Sequence, residues 1–72
     1  MTKEFTAIFE LGDDGWWAAT CPEIPGTVGQ GRTQDEARAD LASSIEFMLE
    51  YLRDEGLRKM APSAERGTVL VG

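Results

Sequence analysis

Residues 21–37, CPEIPGTVGQGRTQDEA, hold two of the chain's three prolines and three of its eight glycines in one connection. Pro22 ends the strand before it, because a proline nitrogen cannot donate to a sheet ladder. Pro25-Gly26 fits the two central positions of a type II turn. Thr33, followed three residues later by Glu36, predicts a helix N-cap with a capping box. The segment therefore predicts a rigid strand–turn–strand–helix connection, from which the rest of the fold follows.

The sequence before this connection predicts a β-hairpin. Residues 3–10, KEFTAIFE, alternate in polarity and place Phe5, Ala7 and Phe9 on one side of a strand. Residues 11–15, LGDDG, supply the turn, since Asp-Gly tolerates positive φ. Residues 16–21, WWAATC, form the second strand. Within the connection, residues 27–31 (TVGQG) predict a short third strand whose glycines weaken it and favour a bulge.

The sequence after Thr33 predicts one amphipathic helix and a last strand. The helix carries one apolar stripe, formed by Ala37, Leu41, Ile45, Met48 and Leu52. Gly56 is the expected C-cap, which gives a helix of about five to six turns. After a polar link, residues 66–72 (RGTVLVG) predict a short strand. The order β-β-β-α-β describes an α+β fold, a small antiparallel sheet with one helix packed on one face, in a single domain over residues 1–72.

The size and composition of the chain limit its classes of function. The single core of a 72-residue chain supplies only about 3–5 kcal/mol of net stability. We therefore expect self-association or a protein partner to add to the stability of the fold. Cys21 is the only cysteine, which excludes an internal disulfide and favours a small buried side chain. There is no histidine, and we expect no metal or haem cofactor. We expect a cytoplasmic protein, because the sequence shows neither a signal peptide nor a membrane span.

The charge balance bears on the kind of partner. Thirteen acidic residues outnumber seven basic ones, for a net charge of −6. Between Glu4 and Glu50 ten carboxylates face only Arg32 and Arg38, a local net of −8. Such a surface repels phosphates, so we expect no direct binding of nucleic acid, and it attracts a basic protein. Acidity that serves solubility alone is the alternative.

The residues do not predict an active site. A metal-dependent nuclease needs several carboxylates that converge on one point. Here Asp13 and Asp14 lie in a turn, and the helix carboxylates lie off the apolar stripe. Ser43 and Ser44 have no histidine to activate them, and GTVGQGR lacks the Lys-Ser/Thr pair of a phosphate loop. We therefore expect no enzyme, and magnesium-dependent RNA cleavage would be the contrary result.

Two aromatic features favour an interface. Trp16 and Trp17 are consecutive on a strand, so they point to opposite faces of the sheet and one of them emerges on the uncovered face. That side chain is either half-covered by the hairpin and the last strand, or a contact in a complex. Phe47 lies about 120° from the centre of the apolar stripe, with Tyr51 nearer its margin. Phe47 either covers a sheet edge or marks an interface.

Residues 15–49, GWWAATCPEIPGTVGQGRTQDEARADLASSIEFML, resemble the HicB family of bacterial antitoxins, in its HicB-like or UPF0150-type domain. The resemblance consists of a Gly-aromatic strand, P-x-[IL]-P-G, a later glycine, T-x-x-E-A and an amphipathic helix. The matching positions are Gly15, Trp17, Pro22, Pro25, Gly26, Gly31, Thr33, Glu36 and Ala37. The resemblance implies a β-β-β-α-β domain, described as a partial RNase H-like fold, without nuclease activity.

The resemblance also implies a partner. Such domains bind and neutralise HicA, a small basic mRNA-cleaving toxin of a type II toxin–antitoxin system, and blocking it needs no chemistry. Many members add a C-terminal DNA-binding domain, which we do not expect in a sequence that ends at Gly72. The alternative is a stand-alone homo-oligomeric domain whose uncovered sheet face packs on itself. The expected contact residues are Trp16, Glu23, Ile24, Phe47 and Tyr51, with attraction from Asp13 and Asp14.

Overall fold

The computed structural model describes residues 4–71 and contains three strands followed by one helix. The strands are β1 (Ile8–Leu11), β2 (Trp17–Thr20) and β3 (Val28–Gly31), and the helix is α1 (Gln34–Arg58). The strands form an antiparallel sheet in the order β1-β2-β3. The helix lies on one face, mainly against β3 and less against β2. The α+β class and the β-β-β-α order are confirmed.

The face of the sheet toward the helix carries the predicted apolar residues. Phe5, Ala7 and Phe9 are half-buried and pack against the core, as the alternation in the first strand predicts. The register places Phe9 opposite Ala19. The only cysteine is buried among apolar side chains, which confirms its predicted role as a small core residue. The buried apolar residues are Ala19, Cys21, Ala37, Leu41 and Ile45.

The ladder of the first strand is shorter than predicted. It begins at Ile8, which pairs with Thr20, and this register sets Thr6 opposite Pro22. Since Pro22 has no N–H, the ladder cannot continue there. The carboxylate of Glu23 takes over: it accepts the Thr6 N–H at 3.1 Å and the Thr6 hydroxyl at 2.6 Å. Lys3, the first residue of the predicted strand, lies outside the described residues.

Both predicted turns are confirmed by their backbone geometry. Gly15 (φ 83°) and Gly26 (φ 93°) occupy the left-handed region, which strains any residue with a side chain. In the second turn the Thr27 N–H donates to the Ile24 carbonyl at 3.4 Å, and the Thr27 hydroxyl donates to the same oxygen at 2.7 Å. The positive φ at Gly26, after a proline, is the type II pattern. The connection between β2 and β3 is therefore fixed by local chemistry.

The glycines of β3 serve close packing, and the predicted bulge is wrong. The β2–β3 register is regular, with Ala19 opposite Gly29 and Trp17 opposite Gly31. A Cβ on Gly29 would overlap the backbone of α1 at Ala37 and Leu41, and a Cβ on Gly31 would overlap Glu36 and Ala37. The helix backbone thus lies almost directly on β3, at a separation that only glycine permits.

The helix begins at the predicted cap. Thr33 is extended (φ −131°, ψ 164°), and its hydroxyl accepts the Glu36 N–H at 3.1 Å. The carboxylate of Glu36 accepts the N–H of Arg32 at 2.9 Å, one residue before the N–H used in a standard capping box. Asp40, one turn further on, accepts the N–H of Gln30 at 2.9 Å. Two helix carboxylates therefore occupy outward N–H groups along the free edge of β3.

The predicted end of the helix is wrong. Gly56 lies inside α1, which continues to Arg58 with Lys59 as C-cap. The Lys59 N–H donates to the Glu55 carbonyl at 3.2 Å, and the basic residue of the last turn suits the helix dipole. The 25 residues make about seven turns. Gly56 is not among the glycines with positive φ, so it does not form the left-handed cap that was predicted.

The helix is much longer than the sheet beneath it. Its 25 residues span about 37 Å, whereas four-residue strands span about 13 Å. Leu41 and Ile45 of the predicted stripe are buried, Met48 is half-buried, and Leu52 is 57% exposed because no strand reaches it. Among the described residues, no helix is both long enough and apolar enough to cross a membrane.

The predicted last strand is wrong over its described part, residues 66–71. These residues form no strand, and Val69, Leu70 and Val71 are 86%, 91% and 58% exposed. Their side chains favour a strand, but a strand forms only where an edge supplies hydrogen-bond partners. In this chain the segment contacts neither edge of the sheet as a strand.

Candidate protein interface

The part of α1 beyond the sheet presents an aromatic pair. We call residues 46–58 the helix overhang. Within it Phe47 and Tyr51, one turn apart, are 72% and 46% exposed. They line a shallow groove of about 380 Å³ together with the side chains of Glu50, Asp54, Glu55 and Arg58. An exposed aromatic pair in a concave surface is the usual anchor of a protein contact.

The charge around this pair is negative. Arg58 and Lys59 both pair with Glu55, the lysine at 3.6 Å. Among the described residues, neither Glu50 nor Asp54 takes part in an ion pair. Two carboxylates therefore remain available beside the aromatic rings. An apolar anchor with an acidic rim suits a partner whose own surface is basic.

One interpretation of Phe47 is excluded by this geometry. A side chain that covered a sheet edge would contact a strand and lose its exposure. Phe47 is 72% exposed, and every residue that lines its groove belongs to α1. The hypothesis that Phe47 covers a sheet edge is wrong.

The two tryptophans point to opposite faces, as predicted. Trp17 is half-buried and packs against the core, while Trp16 is 40% exposed. The guanidinium of Arg32 lies 4.7 Å from the centre of the Trp16 ring, so this cation, and not a last strand, covers part of the indole. Asp14 accepts the Trp16 N–H at 3.0 Å, which makes it part of the hairpin turn, and Asp13 is exposed beside it.

Glu23 and Ile24 serve the fold. The carboxylate of Glu23 accepts hydrogen bonds from the Thr6 N–H, the Thr6 hydroxyl and the Cys21 thiol, the last at 3.3 Å. These bonds, first of all that from the Thr6 side chain, lower the pKa of Glu23 from 4.5 to about 2. Ile24 is half-buried against the core. Their contact with a partner stays a prediction.

The seven predicted contact residues occupy three separate places. One is the hairpin end, one is the connection after β2, and one is the helix overhang. The groove beside Trp16 and the groove beside Phe47 share no lining residue. Sequence reasoning brought together the pair on the helix, because helical spacing alone fixes that relation. In chain order the three groups are Asp13, Asp14 and Trp16; Glu23 and Ile24; Phe47 and Tyr51.

A second exposed surface was not among the predicted contacts. On the uncovered sheet face Ile8 and Val28 are 47% and 49% exposed and flank Thr20, their common neighbour in the register. The next row across the sheet is Glu10, Ala18 and Gln30. The alternation that places Phe5, Ala7 and Phe9 on one side of the first strand places Ile8 on the other side. The same period of two applied to β3 would have found Val28.

The acidic residues of the described chain are dispersed. Within residues 4–71 no group of three or more Asp, Glu or Cys side chains lies close enough together to hold a metal ion. Three of the helix carboxylates are instead committed to local contacts, since Glu36 and Asp40 accept backbone N–H groups and Asp35 pairs with Arg38 at 2.7 Å.

Comparison with known proteins finds two relatives that match along nearly their whole length. The UPF0150 protein ssl0738 of Synechocystis sp. is 42% identical over 71 residues, which cover 99% of each sequence. The UPF0150 protein Ta0767 of Thermoplasma acidophilum is 29% identical over 66 residues, which cover 92% of this chain and 96% of the relative. No family model matches the chain, and no solved structure matches it.

Proposed function

The chain belongs to the UPF0150 family, and we propose that it is an antitoxin of the HicB type. In this proposal it binds and neutralises a small basic, mRNA-cleaving toxin of the HicA type in the cytoplasm. The block is steric and electrostatic and requires no catalysis by this chain. The motif P-E-I-P-G with T-x-x-E-A supports the assignment, together with the β-β-β-α order.

The observation that carries the proposal is the acidic, aromatic face of the helix overhang. Phe47 is a large apolar side chain that is 72% exposed to solvent. Beside it, Glu50 and Asp54 form no ion pair among the described residues. A basic ribonuclease must present lysines and arginines to RNA. The same cations would be drawn to these carboxylates, and an aromatic anchor would then hold the complex.

The rest of the molecule supports this role by fixing the position of the helix. The cap at Thr33 and the close contact of Gly29 with α1 hold the first turns of the helix rigidly on the sheet. A surface that is already ordered loses little conformational entropy when it binds. The short, stiff connection of residues 21–37 therefore presents the overhang in one orientation.

The test is co-expression of this chain with the product of the neighbouring open reading frame, followed by affinity capture and an RNA-cleavage assay. We expect a stable complex in which cleavage stops. Phe47→Ala should weaken the complex by about 30-fold, the effect of losing about 2 kcal/mol at an interface hot spot. Tyr51→Ala should weaken it less, since Tyr51 is less exposed.

The matched control is Val28→Ala, which truncates an exposed apolar side chain on the opposite face of the sheet. It should leave toxin binding unchanged. Equal affinity of the Phe47→Ala and unaltered chains would contradict the proposed surface. Failure of the two proteins to bind at all would contradict the antitoxin role.

The uncovered sheet face favours a second candidate function, a stand-alone domain that associates with itself. Ile8 and Val28 flank Thr20 in one row and form a modest apolar strip. Packing of two such faces would bury both strips. Val28→Lys would abolish an oligomer of this kind and would leave toxin binding intact, so the two candidates are separable by one variant.

A further inference from the structure

The outer edge of β1 is open. The sheet order places β1 at one end, with no described strand beyond it. The Thr6 N–H points to Glu23, on the β2 side of the strand. Because backbone groups alternate in direction along a strand, those of Ala7 and Phe9 point outward. Unlike β3, whose edge N–H groups meet helix carboxylates, β1 offers a template for an added strand.

An apolar groove lies beside this open edge. The helix lies mainly over β3 and β2, so a strip of the core face next to β1 is left uncovered. The resulting groove has a volume of about 330 Å³. A strand added to β1 would direct every second side chain into it. The apolar side chains that line it are Phe5, Ala7, Leu41, Ala42, Ile45 and Leu49.

The chain also carries a segment that fits this site. We call residues 66–71, RGTVLV, the C-terminal arm. Its Val69, Leu70 and Val71 favour a strand, are 58–91% exposed and belong to no described sheet. Within its own chain the arm is not seated on the body. Val69 lies across an open cleft of about 830 Å³ from Phe5 and Leu49.

The overall shape of the molecule is elongated. The radius of gyration is 15.7 Å, whereas a compact domain of 72 residues has about 11 Å. The molecule is 53 Å long and only 15 Å thick, since the helix extends well beyond the sheet. Such a protomer leaves apolar surface uncovered at the β1 groove and along the arm. A second copy supplies an arm that can cover the groove and a groove that can cover the arm.

We propose that two copies exchange their C-terminal arms. The arm of one copy pairs as a fourth strand with the outer edge of β1 in the other, and its alternate side chains fill the groove there. A two-fold axis makes the exchange reciprocal, so both open edges and both arms are used. This interface differs from the outer sheet face and from the groove at Phe47 and Tyr51, which shares no lining residue with the β1 groove, and it does not depend on toxin binding.

The first test is the mass of the purified full chain in solution, measured by light scattering over a wide concentration range. We expect twice the 7.9 kDa of the chain. Leu70→Asp should yield the monomer, since a carboxylate in the added strand would destabilise the pairing. Leu70 is 91% exposed, so this change leaves the protomer folded, which circular dichroism checks. Val28→Asp, on the outer sheet face, is the matched control and should keep the dimer.

A second measurement identifies whose arm occupies the edge. In a mixture of isotope-labelled and unlabelled chains, we expect contacts between Leu70 of one copy and Ala7 or Phe9 of the other. The amide hydrogens of Ala7 and Phe9 should exchange more slowly than in Leu70→Asp. A chain that stays monomeric throughout, a dimer that survives Leu70→Asp, or contacts confined to one copy would each overturn the proposal.

Discussion

The two halves of the helix differ in what they pack against. Residues 34–45 lie so close to β3 that Gly29 leaves no room for a Cβ, and Leu41 is 2% exposed. In the overhang, residues 46–58, a Cβ added to Gly56 would meet no other part of the chain within 4 Å, and Leu52 is 57% exposed. The apolar stripe continues through both halves, yet only the first half has a sheet to pack on. The first half thus stabilises the fold, and the second is available to a partner.

Substitution of Gly29 by alanine should have the largest effect. The new Cβ would overlap the backbone of Ala37 and Leu41, which cannot move without lifting the helix from β3. We expect a loss of about 3 kcal/mol or more in the free energy of unfolding, beyond the usual cost of overpacking. Urea denaturation monitored by tryptophan fluorescence measures it.

The matched control is Gly56→Ala in the overhang. Nothing lies within 4 Å of a Cβ there, and alanine favours a helix over glycine. We expect a gain of about 0.5–1 kcal/mol. A similar small effect at both glycines would show that the helix does not rest on β3 as described.

Two leucines on the same stripe provide the next test. Leu41→Ala should reduce the free energy of unfolding by about 2–4 kcal/mol, because it leaves a cavity under the first half of the helix. Leu52→Ala removes a side chain that is already 57% exposed and should cost less than about 1 kcal/mol. Equal losses in the same denaturation experiment would mean that the overhang is covered within the chain.

The sequence predicted the features that depend on neighbouring residues. The cap at Thr33, the turns at Gly15 and Gly26 and the face of Phe5 and Phe9 all follow from local chemistry or from periodicity, and all are confirmed. Phe47 and Tyr51 were predicted as contacts from their positions off the centre of the apolar stripe. Both are exposed, and their contact with a partner stays a prediction.

The remaining features depend on which element lies opposite, and periodicity does not contain that information. Gly29 was interpreted as a weakness in a strand, although its function is to admit the helix. Leu52 was assigned to the core because its spacing is correct, while the length of the sheet decides its exposure. The bonds of Glu23 to Thr6 were not predicted, because they join residues 17 positions apart.

Removal of the helix cap should have a moderate effect on the first half alone. Thr33→Ala deletes the oxygen that accepts the Glu36 N–H, and we expect a loss of about 1 kcal/mol. Amide exchange should accelerate in the first turn and remain unchanged in the overhang. Thr33→Ser, which keeps the hydroxyl, serves as the control. Faster exchange throughout the helix would mean that its halves do not unfold separately.

The contribution of Glu23 to the free energy of unfolding should depend on pH. Its pKa is lowered to about 2 in the folded chain, from 4.5, so its contribution to stability is present above about pH 4.5 and is lost as the pH falls toward 2. The stability difference between the unaltered chain and Glu23→Gln should therefore narrow over that range. Thr6→Val removes the main donor and should show a similar narrowing. Parallel curves of urea midpoint against pH would contradict this account.

The carboxylates of Glu36 and Asp40 have a consequence for assembly in crowded solution. By occupying N–H groups of β3, they make that side of the sheet a poor seed for further strands. Edge-to-edge pairing of two such sheets is then favoured through β1, and a pair joined in this way leaves only its two β3 edges at the ends. A sheet with one growing end terminates where a sheet with two would polymerise, so these two acidic side chains act as a chain stopper against fibre formation.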